Sequence, residues 1–368
     1  GVGRSCMIQI KKEAEYCRGM KPEYIKGRGI IMSIIELLPR GVKYYKANPH
    51  CHTVLSDGTL TPEQIKDLYG GRGYQVIAFT DHRVYAYHKE LNDESFLAIA
   101  AMETDINEFA GFGQNFDRIK TYHINWYDTD PSFRSEEKAK LSQPEKRYHD
   151  LECLNGYVEK MKELGFLACY NHPYWSLQSY EDYKDLKGFW GMEIYNHGCE
   201  LDGLYGYHSQ SYDEMLRSGQ QLFAVAADDN HNLFPSGDPL CDSFGGAVMI
   251  GAKELTYPAV MEALKKGHFY SITSPDGRLE GPKIEEMYLD GNKLIVRCSP
   301  VDKIYIKTMG RRCHRAAAKP GETITEAEFT LDGKEGYIRA AVQDAYGRHA
   351  DSNAFFLEEK VLRNCLGL

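Results

Sequence analysis

Between about residues 44 and 275 the chain alternates short apolar runs, which read as strands, with longer stretches whose apolar residues recur at helical spacing. A strand is predicted at 43–47, leading into His50-Cys51-His52. Thr61, Pro62 and Glu63 then open a helix over 61–69: a capping hydroxyl, a proline at the first helical position and an acid in the first turn. Strands at 75–80 and 96–103 end at Asp81-His82 and at Glu103. Leu154, Val158, Met161 and Leu164 share one face of a helix over 152–164. The strand at 166–170 runs into Asn171-His172-Pro173, another is predicted at 191–195, and 221–227 runs into Asp228-Asp229-Asn230-His231. Residues 131–150 are polar and charged, and read as an exposed insertion able to lie over the strand ends.

After Ser274-Pro275-Asp276-Gly277 the texture changes. Strands are expected at 285–289, 293–298, 303–309, 326–331 and 337–344, with Asp290-Gly291 and Asp332-Gly333 as turns. This is the pattern of a small all-β, sandwich-like domain. The expected division is an N-terminal extension (1–43), partly peripheral and basic up to residue 31, then an α/β domain (44–278) and the β domain (279–360).

The polar residues at the strand ends are of one chemical kind. His50 and His52 are two apart, so in a strand both project to the same side and can grip one ion; Asp229 and His231 have the same spacing. With Asp57, His82, Glu103, His123 and His172 they make six imidazoles and three carboxylates. One zinc ion takes about four ligands, so the set suggests a polynuclear site, and such sites usually serve hydrolysis. Chemistry placed at successive strand ends is the layout of a β/α barrel with its mouth holding the ligands.

His50-Cys51-His52-Thr53 with Ser56-Asp57-Gly58, then Thr80-Asp81-His82, Asn171-His172-Pro173 and Asp229-Asn230-His231, resembles the PHP (polymerase and histidinol phosphatase) superfamily over roughly 44–275. The resemblance implies a distorted seven-stranded β/α (TIM-like) barrel with two or three divalent ions, zinc, manganese or iron, at its mouth. His50, His52, Glu103 and Asp229 would hold one ion and the water that attacks. Glu103, His123 and His172 would hold a second, and Asp57, His82 and His231 a third. The strands up to Tyr346-Gly347-Arg348 more weakly resemble a β domain fused to some family members. Arg83 departs from the small polar or acidic residue that many relatives carry after Thr-Asp-His.

The remaining composition narrows the partners. A net charge of −9 disfavours a long nucleic acid, which needs a basic track. No apolar run reaches the roughly 18 residues of a membrane span. Ten single cysteines without a C-x-x-C pair read as a reducing, cytoplasmic chain. The expected activity is therefore a metal-dependent phosphoesterase acting on a small phosphorylated metabolite or nucleotide. Cleavage at nucleic acid ends, C–N bond hydrolysis and a non-catalytic metal-binding module are the alternatives. Arg83 and His197 are candidate substrate contacts, against solvated and structural readings respectively, while Arg118 and Lys120 read first as surface charges. Asp81 reads equally as support for a ligating imidazole or as a loop cap, and turn chemistry suffices for Asn171 and Asn230.

Overall fold

The computed structural model describes residues 34–108, 120–141, 143–145, 147–277 and 280–357. The extension to residue 31 and Arg118 lie outside them. The chain forms a mixed α/β structure with one large mixed sheet and a separate four-stranded antiparallel sheet. In chain order the first strands are β1 (Ile34–Glu36), β2 (Lys43–Cys51), β3 (Tyr74–Phe79), β4 (Leu97–Asn107) and β5 (Thr121–Asp128). They continue with β6 (Phe166–Tyr170), β7 (Gly191–Asn196), β8 (Phe223–Ala227), β9 (Gly246–Ala252) and β10 (Phe269–Thr273).

Strands β2 to β8 are neighbours in sequence order. β2, β3 and β4 are parallel, as are β6, β7 and β8, while β5 runs against both its neighbours. At the far edge the chain turns back on itself. Asp229 N donates to His50 O at 2.9 Å and His52 N to Asn230 O at 3.0 Å, tying the segment after β8 to the end of β2. Side chains from β2, β3, β4, β5, β6, β8, β9 and β10, among them Ala47, Val76, Ile99, Tyr127, Cys169 and Val225, share one apolar core. Burying that core is what holds the strand ends in register with one another.

The helices pack their apolar residues against the sheets. α1 (Pro62–Gly70) carries the expected cap, Thr61 and Gln64 bonding reciprocally across the first turn. Two short helices, α2 (Ser135–Lys140) before α3 (Leu151–Glu163) and α4 (Tyr180–Tyr183) after it, flank the helix that buries Leu154, Val158 and Met161. They are followed by α5 (His197–Gly203), α6 (Ser209–Arg217) and α7 (Tyr257–Lys266). α2 is mostly exposed, as expected for residues 131–150, but one residue anchors it. Lys138 is fully buried, with Nζ 2.7 Å from the carboxylate of Asp128 at the end of β5 remote from His123. This helix is anchored at the opposite end of the strand, whereas Tyr148 lies back towards His123, stacked on Tyr122 with ring centroids 4.6 Å apart.

The later strands are β11 (Ile284–Asp290), β12 (Lys293–Val301), β13 (Lys303–Thr308), β14 (His314–Ala317), β15 (Ile324–Thr330), β16 (Tyr337–Gln343), β17 (His349–Ser352) and β18 (Phe355–Phe356). The smaller sheet has the order β1-β11-β12-β15. Met287, Leu294 and Val296 on it pack against Ile304, Ile338 and Val342 of the large sheet, giving a sandwich-like core. β17 pairs with β10, so the large sheet runs unbroken from the ligand-bearing strands into the later ones.

Candidate metal centre

β2 sets the floor of the site. His50 Nε2 and His52 Nε2 lie 3.1 Å apart, both rings being fully buried, as the two-residue spacing requires. The chain then folds back sharply over residues 53–58. Gly58 is needed there, since a Cβ would lie 2.6 Å from the carbonyl of His52. Asp81 holds this loop, accepting from Thr53 N, Thr53 Oγ1 and Ser56 Oγ at 2.8, 2.8 and 2.7 Å. Asp81 is thus a loop clamp that places Asp57, and these bonds occupy the carboxylate that could have backed an imidazole.

Glu103 sits at the centre. Its Oε1 is 3.0 Å from His123 Nδ1 and 3.5 Å from His50 Nε2; its Oε2 is 3.0 Å from His82 Nδ1 and 3.5 Å from His52 Nε2. Asp229 lies opposite, with Oδ1 3.0 Å from His50 Nε2 and 2.9 Å from His52 Nε2. Asp57 faces His231 at 3.4 Å and His82 at 3.5 Å. All nine sequence candidates therefore meet in one place. Asp229 and His231 arrive by a route that strand spacing did not foresee. β8 ends at Ala227, Asp229 has φ +53°, and its side chain goes to His50 and His52 while His231 goes to Asp57. Arg83 and His172 also have positive φ, at +57° and +24°, so the backbone is held in uncommon conformations where it delivers these side chains.

The donor set fits metal ions. His82 Nδ1, Glu103 Oε2 and His123 Nε2 are buried without a hydrogen bond, the first two despite lying 3.0 Å apart. Native proteins rarely leave such atoms unpaired. Metal–ligand bonds of about 2 Å put ligand atoms about 3 to 4 Å from one another, which is the spacing found. Among the described residues, four groups have donor atoms all within 4.8 Å: His52, Asp57, His82 and His231; His50, His52 and Asp229; His82, Glu103 and His123; and His172, Cys199 and Asp229. His172 falls with Asp229 and Cys199, although Glu103 Oε1 is only 3.6 Å from its Nε2.

The electrostatics follow from crowding. Burial disfavours protonated His52, and the rings of His231 and His82 add to this, pushing its pKa down to about 4. Burial acts on His231 in the same sense, yet Asp57 and Asp229 outweigh it and raise its pKa to about 9. Glu103 and Asp229 are held below the usual carboxylate range because the surrounding imidazoles outweigh burial. Metal-free, the centre keeps its acids ionised and shares protons unevenly among its rings.

Three supporting residues escaped the sequence reading. Glu193, in the middle of β7, has Oε1 2.7 Å from His50 Nδ1, and its Oε2 accepts from His172 N and Asn196 Nδ2. Its signal was a lone acid inside a fully buried strand, which is costly unless paired. Asp242 accepts from His231 N at 2.7 Å and from Asn232 N. Asp228 accepts from Tyr69 Oη, Phe244 N and Gly246 N, and burial raises its pKa to about 7. Of the two weaker candidates, Asn171 donates to Glu103 Oε1 at 2.8 Å, and Asn230 bonds Asn48 in the floor beneath the site.

The centre opens into a cavity of about 450 Å³ whose lining includes Arg83, Trp175, Leu233, Phe234 and Leu240. Arg83 reaches Asp105 and remains partly exposed. His197 is elsewhere: it is buried, bonded to Tyr195 Oη at 2.9 Å, and packed so closely on Gly245 that a Cβ there would strike its ring. Burial pushes its pKa down to about 4, as for a structural histidine, and it does not reach the cavity. Lys120 is paired with Asp182 at 2.8 Å.

No family model matches the chain, and no curated protein matches it. Among solved structures, a two-domain protein from Bacteroides vulgatus containing a predicted PHP-like metal-dependent phosphoesterase aligns with 90% of this chain and 99% of its own, at 16% identity and a TM-score of 0.43. An amidohydrolase from Chromobacterium violaceum, solved with sulfate and no metal, aligns with 53% of this chain and 93% of its own, at 17% identity and a TM-score of 0.35.

Proposed function

We propose that this protein is a metal-dependent phosphoesterase acting on a small phosphorylated metabolite or nucleotide. The observation that carries the reading is the convergence of nine ligand-type side chains, all but Asp57 buried or partly buried and several with unpaired donor atoms, on the floor of one open cavity. The hydrogen bonds from the end of β2 to the segment after β8, and the core shared by eight strands, support a distorted barrel with this cavity as its mouth.

His50, His52 and Asp229 would hold one ion. Glu103 and His123, with His172 or His82, would hold a second, and Asp57, His82 and His231 a third. Bound divalent ions supply Lewis acidity and lower the pKa of water towards neutrality. The chain's own residues prepare the rest. Glu193 orients the ring of His50 through Nδ1 and the backbone of His172 through its N–H. Arg83, paired with Asp105, lines the cavity and would offer guanidinium N–H groups to a phosphoryl oxygen. Leu233, Phe234 and Leu240 are exposed apolar residues at the rim, suited to the organic part of an ester.

The test is phosphate release from a panel of monoesters with manganese, zinc or iron added, metal content being measured in parallel. Turnover of small monoesters is expected. Bound metal with no turnover on any ester would defeat the proposal, and cleavage confined to oligonucleotide ends would favour the nuclease alternative.

A further inference from the structure

We infer that Cys199 is a metal ligand, holding one ion together with His172 and Asp229; this rests on the metal-centre reading and adds a tenth ligand to it. The three donor atoms lie within 4.8 Å of one another. Cys199 is a free thiol, 3% exposed, and it lines the same cavity as the imidazoles. His172 Nε2 is 3.6 Å from Glu103 Oε1 and 3.8 Å from Asp229 Oδ2, beyond hydrogen-bond reach of either. In the same centre, His123 Nε2 is buried without a hydrogen bond. Donor atoms that gather without bonding one another are placed for a cation.

The position of Cys199 is built by the fold. Asn196 ends β7, and its Oδ1 accepts from Cys199 N at 2.9 Å while its Nδ2 donates to Asp229 Oδ2 at 3.1 Å and to Glu193 Oε2 at 2.9 Å. One amide therefore fixes the cysteine backbone, the Asp229 carboxylate and the acid behind His50. Gly198 completes the approach, donating its N–H to Asp228 O at 2.8 Å. A Cβ there would lie 3.0 Å from Asp229 O. Cys51 shows the contrast. It sits between His50 and His52 in sequence, yet β2 turns it into the apolar core, where its Sγ takes a 3.4 Å contact from Asn230 Nδ2.

A thiolate is a soft ligand. It favours zinc, cobalt or iron at this position over magnesium or calcium, which prefer oxygen shells. The inference thus bears on which metal the centre selects as well as on how it is held.

Cobalt(II) reports a sulfur ligand directly, through a thiolate-to-metal charge-transfer band in the near ultraviolet. The full chain, stripped of metal and reloaded with cobalt, is expected to show this band, Cys199→Ser to lose it, and Cys241→Ser to keep it. Cobalt bound without the band in the unsubstituted protein would overturn the inference with no variant needed. Retention of the band in Cys199→Ser, or its loss in Cys241→Ser, would do the same. Protein that binds no cobalt overturns the metal centre and the thiolate together. Cobalt binding with the band but no phosphate release leaves the thiolate ligand standing and removes the phosphoesterase.

Discussion

Two buried clusters of charge in this molecule are built on opposite principles. Around Arg339, a fully buried side chain of β16, the groups satisfy one another. Its guanidinium makes paired 2.8 Å bonds to Asp213, a 3.1 Å bond to Asp351 and another to Ser209, while Asp351 also pairs with His349 at 2.7 Å. Around Glu103 the groups crowd together and leave donor atoms empty. Burying charge is costly in both places. The first cluster meets that cost internally, joining β16 and β17 to α6. The second leaves it for a ligand from outside. Unpaired buried atoms occur elsewhere too, as at His208 and Asn125, so it is their gathering around Glu103 that sets this cluster apart.

The sharpest way to break this contrast is to remove one member from each cluster. Asp229→Ala is expected to lower metal occupancy and kcat/KM by more than the roughly 100-fold that losing an outer partner can cost. Thermal unfolding of its metal-free form should be close to that of the unsubstituted metal-free protein. Metal analysis, steady-state kinetics and a melting curve check this, and a large loss of metal-free stability would erase the distinction between the clusters.

Arg339→Ala should behave in the reverse way. It leaves Asp213 and Asp351 without their partner, at a cost of about 3–5 kcal/mol in urea unfolding. Metal content and turnover per folded molecule should be unchanged. A change in kinetics with little change in stability would show that the two clusters are coupled.

Glu193→Gln sharpens the middle ground, because Glu193 is satisfied like the Arg339 cluster but serves a ligand. Its amide keeps the shape and loses the charge behind His50, so activity or metal affinity should fall about 10- to 100-fold. Titration with zinc at fixed substrate checks it, and an unaltered zinc affinity and rate would make Glu193 purely structural.

The smallest effect is one of pH. Burial alone would raise the pKa of Asp351, but the His349 ring and the Arg339 guanidinium outweigh it and hold the pKa to about 2, below its ordinary 3.8. A depressed carboxyl contributes stability that is fully present above the unfolded value, and this is lost as pH falls through the folded one. Urea midpoints should therefore drop between about pH 4 and pH 2, and less steeply in Asp351→Asn. Equal slopes in the two proteins would remove Asp351 from the acid limb.

Much of the site was legible because its ligands follow short strands in tight local patterns. His50 and His52 needed only the alternation of a strand, and the helix at 62–70 only its cap. β5 was not legible as a strand that runs against both its neighbours, since its apolar run reads the same in either direction. Glu193 was passed over because one acid in an apolar strand carries no spacing. His197 misled because a residue just after a strand end can turn to the mouth or into the core, and contact with Gly245 decided which.

What the sequence determined by itself is the inventory: the nine candidate residues, their order, and most of the strands they lie on or follow, read from periodicity and residue chemistry. What only the tertiary structure decided is which of them lie close to one another, and that Cys199 stands with them while Cys51 does not. Those choices depend on positive-φ turns at His172 and Asp229, on the Asn196 amide and on the room left by Gly198. Each is a contact between residues far apart in the chain, and local pattern has no way to encode it.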